Sequence, residues 1–213
     1  MSIINMDLKN HIILTARLLF KTQGYDQTTI RQLVSECQIT TGILYKYFDN
    51  KQELFNAVRA DDINRVKQFV QMITKETKDP LLLVSLDTHI VFTLAQKYER
   101  YAEAIINSYK NLDVYQVNIS DLMAFSKLCF TDYIKDYSDD DHRTRAIMIK
   151  GIYNSIIGDY LIGYDSDLDS KINLIVKTIY KLYNVPENKI ESILLKTSEI
   201  MNQYETDLLK ILN

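Results

Sequence analysis

Helices alone are expected from this sequence, and three observations carry the expectation. Apolar residues recur at spacings of three and four along nearly the whole chain, the period of one helix face. Only five glycines and two prolines punctuate 213 residues, which favours long uninterrupted helices over many turns. No segment sustains a period of two, and β-branched residues do not gather into strand-like runs. The fold class is therefore all-α.

The elements follow in order. Leu8, Ile12, Ala16, Leu19 and Phe20 share one face of a first helix over 8–23, which Gly24 stops. Thr29 caps a second helix, because Gln32 stands three residues on as in a capping box. That helix turns Ile30, Leu33 and Val34 inward and ends near Cys37-Gln38. Thr40 or Thr41 caps a third, with Leu44 and Phe48 inward. Asp49-Asn50 lead into a long helix from Lys51 to about Thr77. Asp79-Pro80 ends it and opens the next, since proline is tolerated in a first helical turn. Further helices are expected at about 80–97, 99–110, 118–137, 140–164, 169–184 and 187–211. Breaks fall at Asn111-Leu112-Asp113, Ser138 to Asp141, Asp165 to Asp169 and Val185-Pro186. With no low-complexity linker, a boundary near residue 50 divides the chain into 1–50 and 51–213.

Composition narrows the function classes. At 46% hydrophobic and 25% charged, the chain buries a real core and lacks a disordered signature. Its net charge of −3 is unevenly spread. Residues 1–60 carry seven Lys/Arg against five Asp/Glu, and residues 61–213 carry eighteen against twenty-three. A mildly basic head on an acidic body suits a protein that meets phosphate with one end. The opening MSIINMDLKN has no basic n-region with an apolar core, and the apolar run Leu81–Leu94 is broken by Asp87 and His89 and too short to span a bilayer. A cytoplasmic protein without membrane contact is expected, with Cys37 and Cys129 as reduced thiols.

The most specific stretch is Thr28–Lys51, TTIRQLVSECQITTGILYKYFDNK. Two short helices joined by a tight turn, the second opening with small polar residues and carrying aromatic and basic ones, suit a DNA groove and its flanking phosphates. Gly42 permits close approach, Thr41 can hydrogen-bond a base or phosphate, and Ile43 can lie against a thymine methyl. The hydroxyls of Tyr45 and Tyr47 reach flanking phosphates, and Lys46 serves a base or a phosphate. Thr28, Thr29 and Arg31 stand at a helix start, where free N–H groups favour anions. The plainer reading of Thr29 and Thr40 is capping alone, and of Lys46 and Lys51 solvated surface charge.

Residues 8–55 resemble the DNA-binding domain of the TetR family of bacterial transcriptional regulators. The resemblance rests on Ala16, Leu19-Phe20, Gly24-Tyr25, Thr29-Ile30, Gly42, Leu44-Tyr45, Tyr47-Phe48, Lys51 and Leu54, about a quarter of the chain. It implies an N-terminal three-helix helix-turn-helix DNA-binding domain followed by a larger helical ligand-binding and dimerisation domain. It also implies that Lys51 contacts phosphate. Four positions depart from the family's habit: Cys37-Gln38 replaces Ala-Gly at the turn, Val34 a frequent alanine, and Ile43 a frequent threonine. A left-handed Gln38 would cost on the order of 1 kcal/mol.

For the body, the expected partners are double-stranded operator DNA, a second copy of the chain and a small effector. A homodimeric repressor reading a palindrome is the leading expectation. Gly151, Ser155 and Gly158 recur at i, i+4 and i+7, a stripe of small residues inviting a close helix; Ile190, Leu194 and Met201 offer a matching face on the last helix. Close packing inside one subunit is the competing reading of that stripe. Twelve of fifteen tyrosines lie beyond residue 90, and His89, Phe92, Tyr109, Phe125, Tyr133 and Tyr153 are candidate effector contacts for an apolar or aromatic ligand. No cofactor or metal is called for, and His11, His89 and His142 are scattered without catalytic spacing. An enzyme is therefore not expected. The rival is a helical partner-binding protein of the same fold without DNA binding.

Overall fold

The computed structural model describes residues 3–75, 79–107, 109, 112–164, 167–208 and 210, with side chains from Asp7 onward. Among the described residues ten α-helices follow one another: α1 Ile3–Gln23, α2 Ile30–Glu36, α3 Thr41–Leu44, α4 Lys51–Thr74, α5 Pro80–Lys97, α6 Glu99–Asn107, α7 Leu112–Cys129, α8 Asp139–Leu161, α9 Asp169–Leu182 and α10 Glu187–Leu208. A 3-10 turn covers Thr131–Tyr133, and the described residues hold no strand. The all-α expectation is met. Contacts divide the chain into two compact units, one through Lys67 and the other Gln68–Lys210, so α4 supplies residues to both.

In the first unit, Ile12, Ala16 and Phe20 of α1, Leu33 of α2, Leu44 of α3, Phe48, and Leu54 and Val58 of α4 form one buried cluster. Ile30 and Val34 pack at its edge, only partly buried. Phe20, Tyr25 and Phe55 meet ring to ring at 4.8–5.6 Å between centroids. The buried Arg17 ties α1 to α4: its Nε donates to Asp62 Oδ1 at 2.7 Å, and its Nη2 donates to Asp61.

In the second unit α5 is the central helix, packing against α6, α7, α8, α9 and α10. Ten of its residues are buried, from Leu81 to Ala95. Its polar groups are matched across those contacts. Tyr180 Oη donates to Leu81 O at 2.5 Å, Thr197 Oγ1 to Ser85 Oγ at 2.8 Å, and Tyr160 Oη to Gln96 O at 3.0 Å. The Gln96 amide oxygen accepts from the N–H groups of Leu168 and Asp169 at the start of α9, an orphaned helix end satisfied from a neighbour.

The local chemistry explains the ends. Thr29 and Ser138 make full capping boxes with Gln32 and Asp141, and Asp79 caps α5 ahead of Pro80. The helix expected at 118–137 runs instead over Leu112–Cys129. Asp113 in its first turn opposes the helix dipole favourably and starts the helix earlier. At its far end the Thr131 hydroxyl donates to the carbonyls of Lys127 and Leu128, displacing backbone amides from them. Phe130 then turns to stack on Tyr183, with centroids 3.9 Å apart and planes 6° from parallel. The expected positions Thr77, Asn111 and Asp165 lie outside the described residues.

Gln38 carries φ 54°, in the left-handed region. It ends α2 in a Schellman motif, with Gln38 N–H donating to Ser35 O and Ile39 N–H to Val34 O. Its side chain is exposed, so the strain is not offset by burial. Gln38→Gly is expected to stabilise the protein by about 1 kcal/mol, read as a higher urea midpoint at unchanged slope.

Candidate functional site

Leu33 and Leu44 pin the inner faces of α2 and α3 to the first unit's core, which fixes what those helices present outward. Thr40 caps α3, its hydroxyl oxygen accepting from Ile43 N–H at 3.3 Å. Beyond Leu44 the chain tightens: the amides of Lys46 and Tyr47 bond carbonyls three residues back at 3.2 and 3.0 Å, while Phe48 N–H reaches Leu44 O at 3.1 Å. The third element is thus one α-turn continued by 3-10-like turns, anchored at both ends by Leu44 and Phe48.

Its outer side gathers most of the expected residues. Arg31, Thr40, Thr41, Gly42 and Lys46 are exposed, Tyr45 is 46% exposed, and Ile43 and Tyr47 are half-buried. A Cβ added at Gly42 would meet only the Thr40 hydroxyl at 4.0 Å, so the free protein leaves the space over Gly42 open to an approaching partner. Thr29 is exposed as well as capping.

Two expected contacts are placed otherwise. Thr28 is fully buried; its hydroxyl donates to Gly24 O at 2.8 Å and accepts from Gln23 Nε2 at 3.2 Å. An inward hydroxyl holds the loop and does not face a phosphate, so Thr28 is corrected to a structural side chain. Lys51 also faces that loop. Its ammonium donates to the carbonyls of Tyr25 and Thr28, both at 3.0 Å, and lies 4.2 Å from the Tyr25 ring centroid. Two of its three donors therefore clamp the segment that leads into α2. Lys51→Met is expected to lower stability by about 1–2 kcal/mol through loss of the charged hydrogen bonds, measured by thermal unfolding.

The second unit spreads the remaining candidates over several places. Phe125 and Tyr153 line a cleft between α5, α7, α8 and α9, together with Val84, Asp87, Ile149 and Ile179. Tyr153 Oη shares a 2.8 Å hydrogen bond with Thr88 Oγ1, and burial pushes its ionisation well up. Phe92, fully buried, meets the Tyr153 ring edge-on at 5.0 Å. His89 is elsewhere: its Nδ1 pairs with Ser85 O at 2.8 Å, and burial pulls its basicity down. Tyr133 borders a separate surface cleft with Asp79 and Lys189, and Tyr109 hydrogen-bonds the Lys150 carbonyl.

Of the expected subunit interface, Ser155 is exposed and a Cβ at Gly151 would meet nothing within 4 Å. Gly158 differs, because a Cβ there would touch Ile106 of α6 at 3.7 Å, so one end of the stripe packs within the subunit. Ile190 is fully buried inside the subunit, and Leu194 and Met201 are half-buried. Ile190 is thus a core residue of this unit, not a surface one. On α8 the sequence reading missed Ile147 and Met148, 42% and 49% exposed, which extend the Gly151–Ser155 face toward the helix start. Among the described residues no group of three or more His, Cys, Asp or Glu forms a metal-like cluster, and no helix is long and apolar enough to cross a membrane.

Comparison with known proteins agrees with the head's geometry. The family model described as bacterial regulatory proteins, tetR family, matches residues 12–58. The HTH-type transcriptional regulator HbdR of Aromatoleum sp. (strain CIB) is 28% identical over 104 residues, covering 48% of this chain and 44% of HbdR. The chain spans about half the length of the curated relatives it matches. Among solved structures, RolR in complex with resorcinol superposes at a TM-score of 0.65 with 16% identity, over 89% of this chain and 93% of RolR. SmeT, the repressor of the Stenotrophomonas maltophilia multidrug efflux pump SmeDEF, superposes at 0.60 with 16% identity, over 84% of this chain and 94% of SmeT. At that identity the two structures speak to the fold alone. With the helix-turn-helix geometry, residues 12–58 match the DNA-binding segment of the tetR family of bacterial regulatory proteins.

Proposed function

We propose that the chain is a cytoplasmic, homodimeric transcriptional repressor that binds a palindromic operator and is released by a small effector with an apolar or aromatic body. Residues 1–50 carry DNA binding, and 51–213 carry effector binding and dimerisation. One observation carries the reading: Arg31, Thr40, Thr41, Gly42, Tyr45 and Lys46 stand exposed on α2 and the α3 turn while Leu33 and Leu44 hold those elements from beneath. That set mixes base-edge donors, phosphate-reaching groups and an open glycine, which is what groove reading needs. The match of residues 12–58 to the tetR family supports it, as do the repressor SmeT and the resorcinol complex of RolR among proteins of this fold.

The dimer is proposed to form through the α8 face of exposed Ile147, Met148 and Ser155 and half-buried Gly151, which allows close helix approach. The effector is proposed to enter the cleft lined by Phe125 and Tyr153. It acts by favouring a head spacing that no longer fits successive major grooves, which requires different affinities for the two states.

Fluorescence anisotropy with DNA flanking the chain's own gene tests the reading. Affinity is expected to fall by about a thousandfold between roughly 50 and 200 mM salt. Lys46→Ala should flatten the log–log salt slope by about 1. Gly42→Ala should fold normally, because its Cβ has room, yet bind DNA more weakly. Binding that is absent or indifferent to salt would instead favour the partner-binding alternative.

A further inference from the structure

One side chain on α8 stands out from the apolar packing around it. Lys150 is half-buried on α8, its ammonium 5.4 Å from the Tyr109 ring centroid. Among the described residues no carboxylate lies within ion-pair distance of it. The Tyr109 hydroxyl donates to the Lys150 carbonyl, and the Tyr109 and Tyr115 rings meet at 5.6 Å, so the ring beside the lysine is itself held by a second aromatic. One helical turn further along the same side of α8, the Asn154 amide oxygen is buried with no hydrogen-bond partner.

These are two independent deficits. Burial lowers the basicity of Lys150, as a desolvated cation without a counter-ion requires. A buried acceptor left unmade is costly in its own right and rare in native proteins. One ligand bearing a negative group and an adjacent hydrogen-bond donor would answer both. The neighbouring α8 residues Ile149 and Tyr153 line the cleft assigned above to the effector, and Lys150 and Asn154 stand beside them on the adjoining face of α8, outside that lining.

We propose that Lys150 and Asn154 form an acid-recognising subsite beside the effector cleft. It takes the carboxylate of a small hydroxylated organic acid whose apolar or aromatic body lies against Tyr109 and Tyr115. The proposal rests on the effector reading and narrows it to anions. Lysine suits this role because its flexible stem delivers a point charge to a carboxylate in several poses. Asn154 then accepts from the ligand's hydroxyl, which separates hydroxy acids from simple acids by the penalty of an unmade buried bond.

Thermal-shift and calorimetric titrations of the full chain with mandelate, its neutral amide mandelamide, and phenylacetate test it. Mandelate is expected to bind saturably, and mandelamide roughly tenfold more weakly or worse. Lys150→Met should abolish that preference while remaining at least as thermostable as the parent, because it removes a desolvated charge and keeps the apolar stem. Asn154→Ala, a second and milder variant, should bring mandelate down to the level of phenylacetate. Equal binding of mandelate and mandelamide, unchanged mandelate binding in Lys150→Met, or no binding of either acid overturns the inference. Resorcinol or mandelamide releasing the operator when the acids do not would leave the effector reading standing and remove only the charge selection. An operator complex indifferent to every one of these compounds would overturn both.

Discussion

Asp62→Ala is expected to destabilise the first unit by about 3–5 kcal/mol, the cost of removing one partner from a buried ion pair. Arg17 is only 2% exposed and Asp62 4%, with Arg17 Nε donating to Asp62 Oδ1 at 2.7 Å. Alanine leaves the guanidinium buried with the carboxylate on its Nε gone. Asp61 stays in contact but is far more exposed, and it also accepts from Arg65 Nε at 2.8 Å, so it compensates only in part. The pair joins α1 to α4, and α1 contributes Ile12, Ala16 and Phe20 to the core beneath α2 and α3. Damage there reaches the surface proposed to face DNA without touching it. Replacing both partners by apolar residues of similar volume, Arg17→Met with Asp62→Leu, should recover most of the loss, since no charge is then stranded. Urea unfolding of the single and double variants checks this; equal losses in both would place the cost in packing.

The same network sets an acid limit. Burial by itself would raise the Asp61 ionisation, but hydrogen bonds and charge from Arg65 and Arg17 outweigh it and hold the carboxyl below its ordinary value. A depressed folded-state value means the stabilisation is fully present above the unfolded carboxyl's range and is lost as pH falls through the folded one. Stability should therefore decline below about pH 4, and Arg65→Met should shift that decline upward.

The sequence made the head legible because each of its signals is local. A capping box, a glycine stop and a pair of inward leucines within three turns act on neighbours a few residues away. Gln38 belongs with these, because a turn that needs a left-handed residue betrays its strain in the sequence itself. Thr28 and Lys51 were read less well for the opposite reason. Whether a threonine at a helix start faces solvent or loop depends on Gly24 and Gln23 folding back over it, and the seat of the Lys51 ammonium is built from carbonyls more than twenty residues earlier. In the body, Ile190 and Gly158 sit on helices contacting several neighbours, and a single apolar stripe does not say which neighbour it meets. Lys150 carried a signal that went unused: a lysine between Ile149 and Tyr153 on the inward side of a helix. The α7 boundaries were missed because Asn-Leu-Asp reads as a break by composition, although an aspartate one residue into a helix also starts one.

Leu44→Ala is expected to abolish operator binding while residues 68–210 remain folded. Leu44 is 1% exposed and the only fully buried residue of α3. An α-turn of four residues has no stability of its own, because nucleation costs more than one or two hydrogen bonds return. Its order is inherited from Leu44 and Phe48 gripping the core of α1, α2 and α4. Truncating a buried leucine to alanine costs about 2–5 kcal/mol, and here that loss falls on the least self-sufficient element. The amides of Lys46, Tyr47 and Phe48, which bond to the carbonyls of Ile43 and Leu44, should then lose hydrogen-exchange protection before any others in the first unit. If the third element reads DNA, a penalty of that size on its ordered state lowers affinity by roughly a hundredfold or more. Leu44→Met keeps the volume, costs less than about 1.5 kcal/mol, and should restore binding. Two measurements decide the matter together: exchange rates locate the melting, and operator anisotropy reports its consequence. Loss of protection over 46–48 with undiminished operator affinity would remove α3 from the reading surface. Loss of both, rescued by methionine, would assign the groove contact to the turn that Leu44 holds.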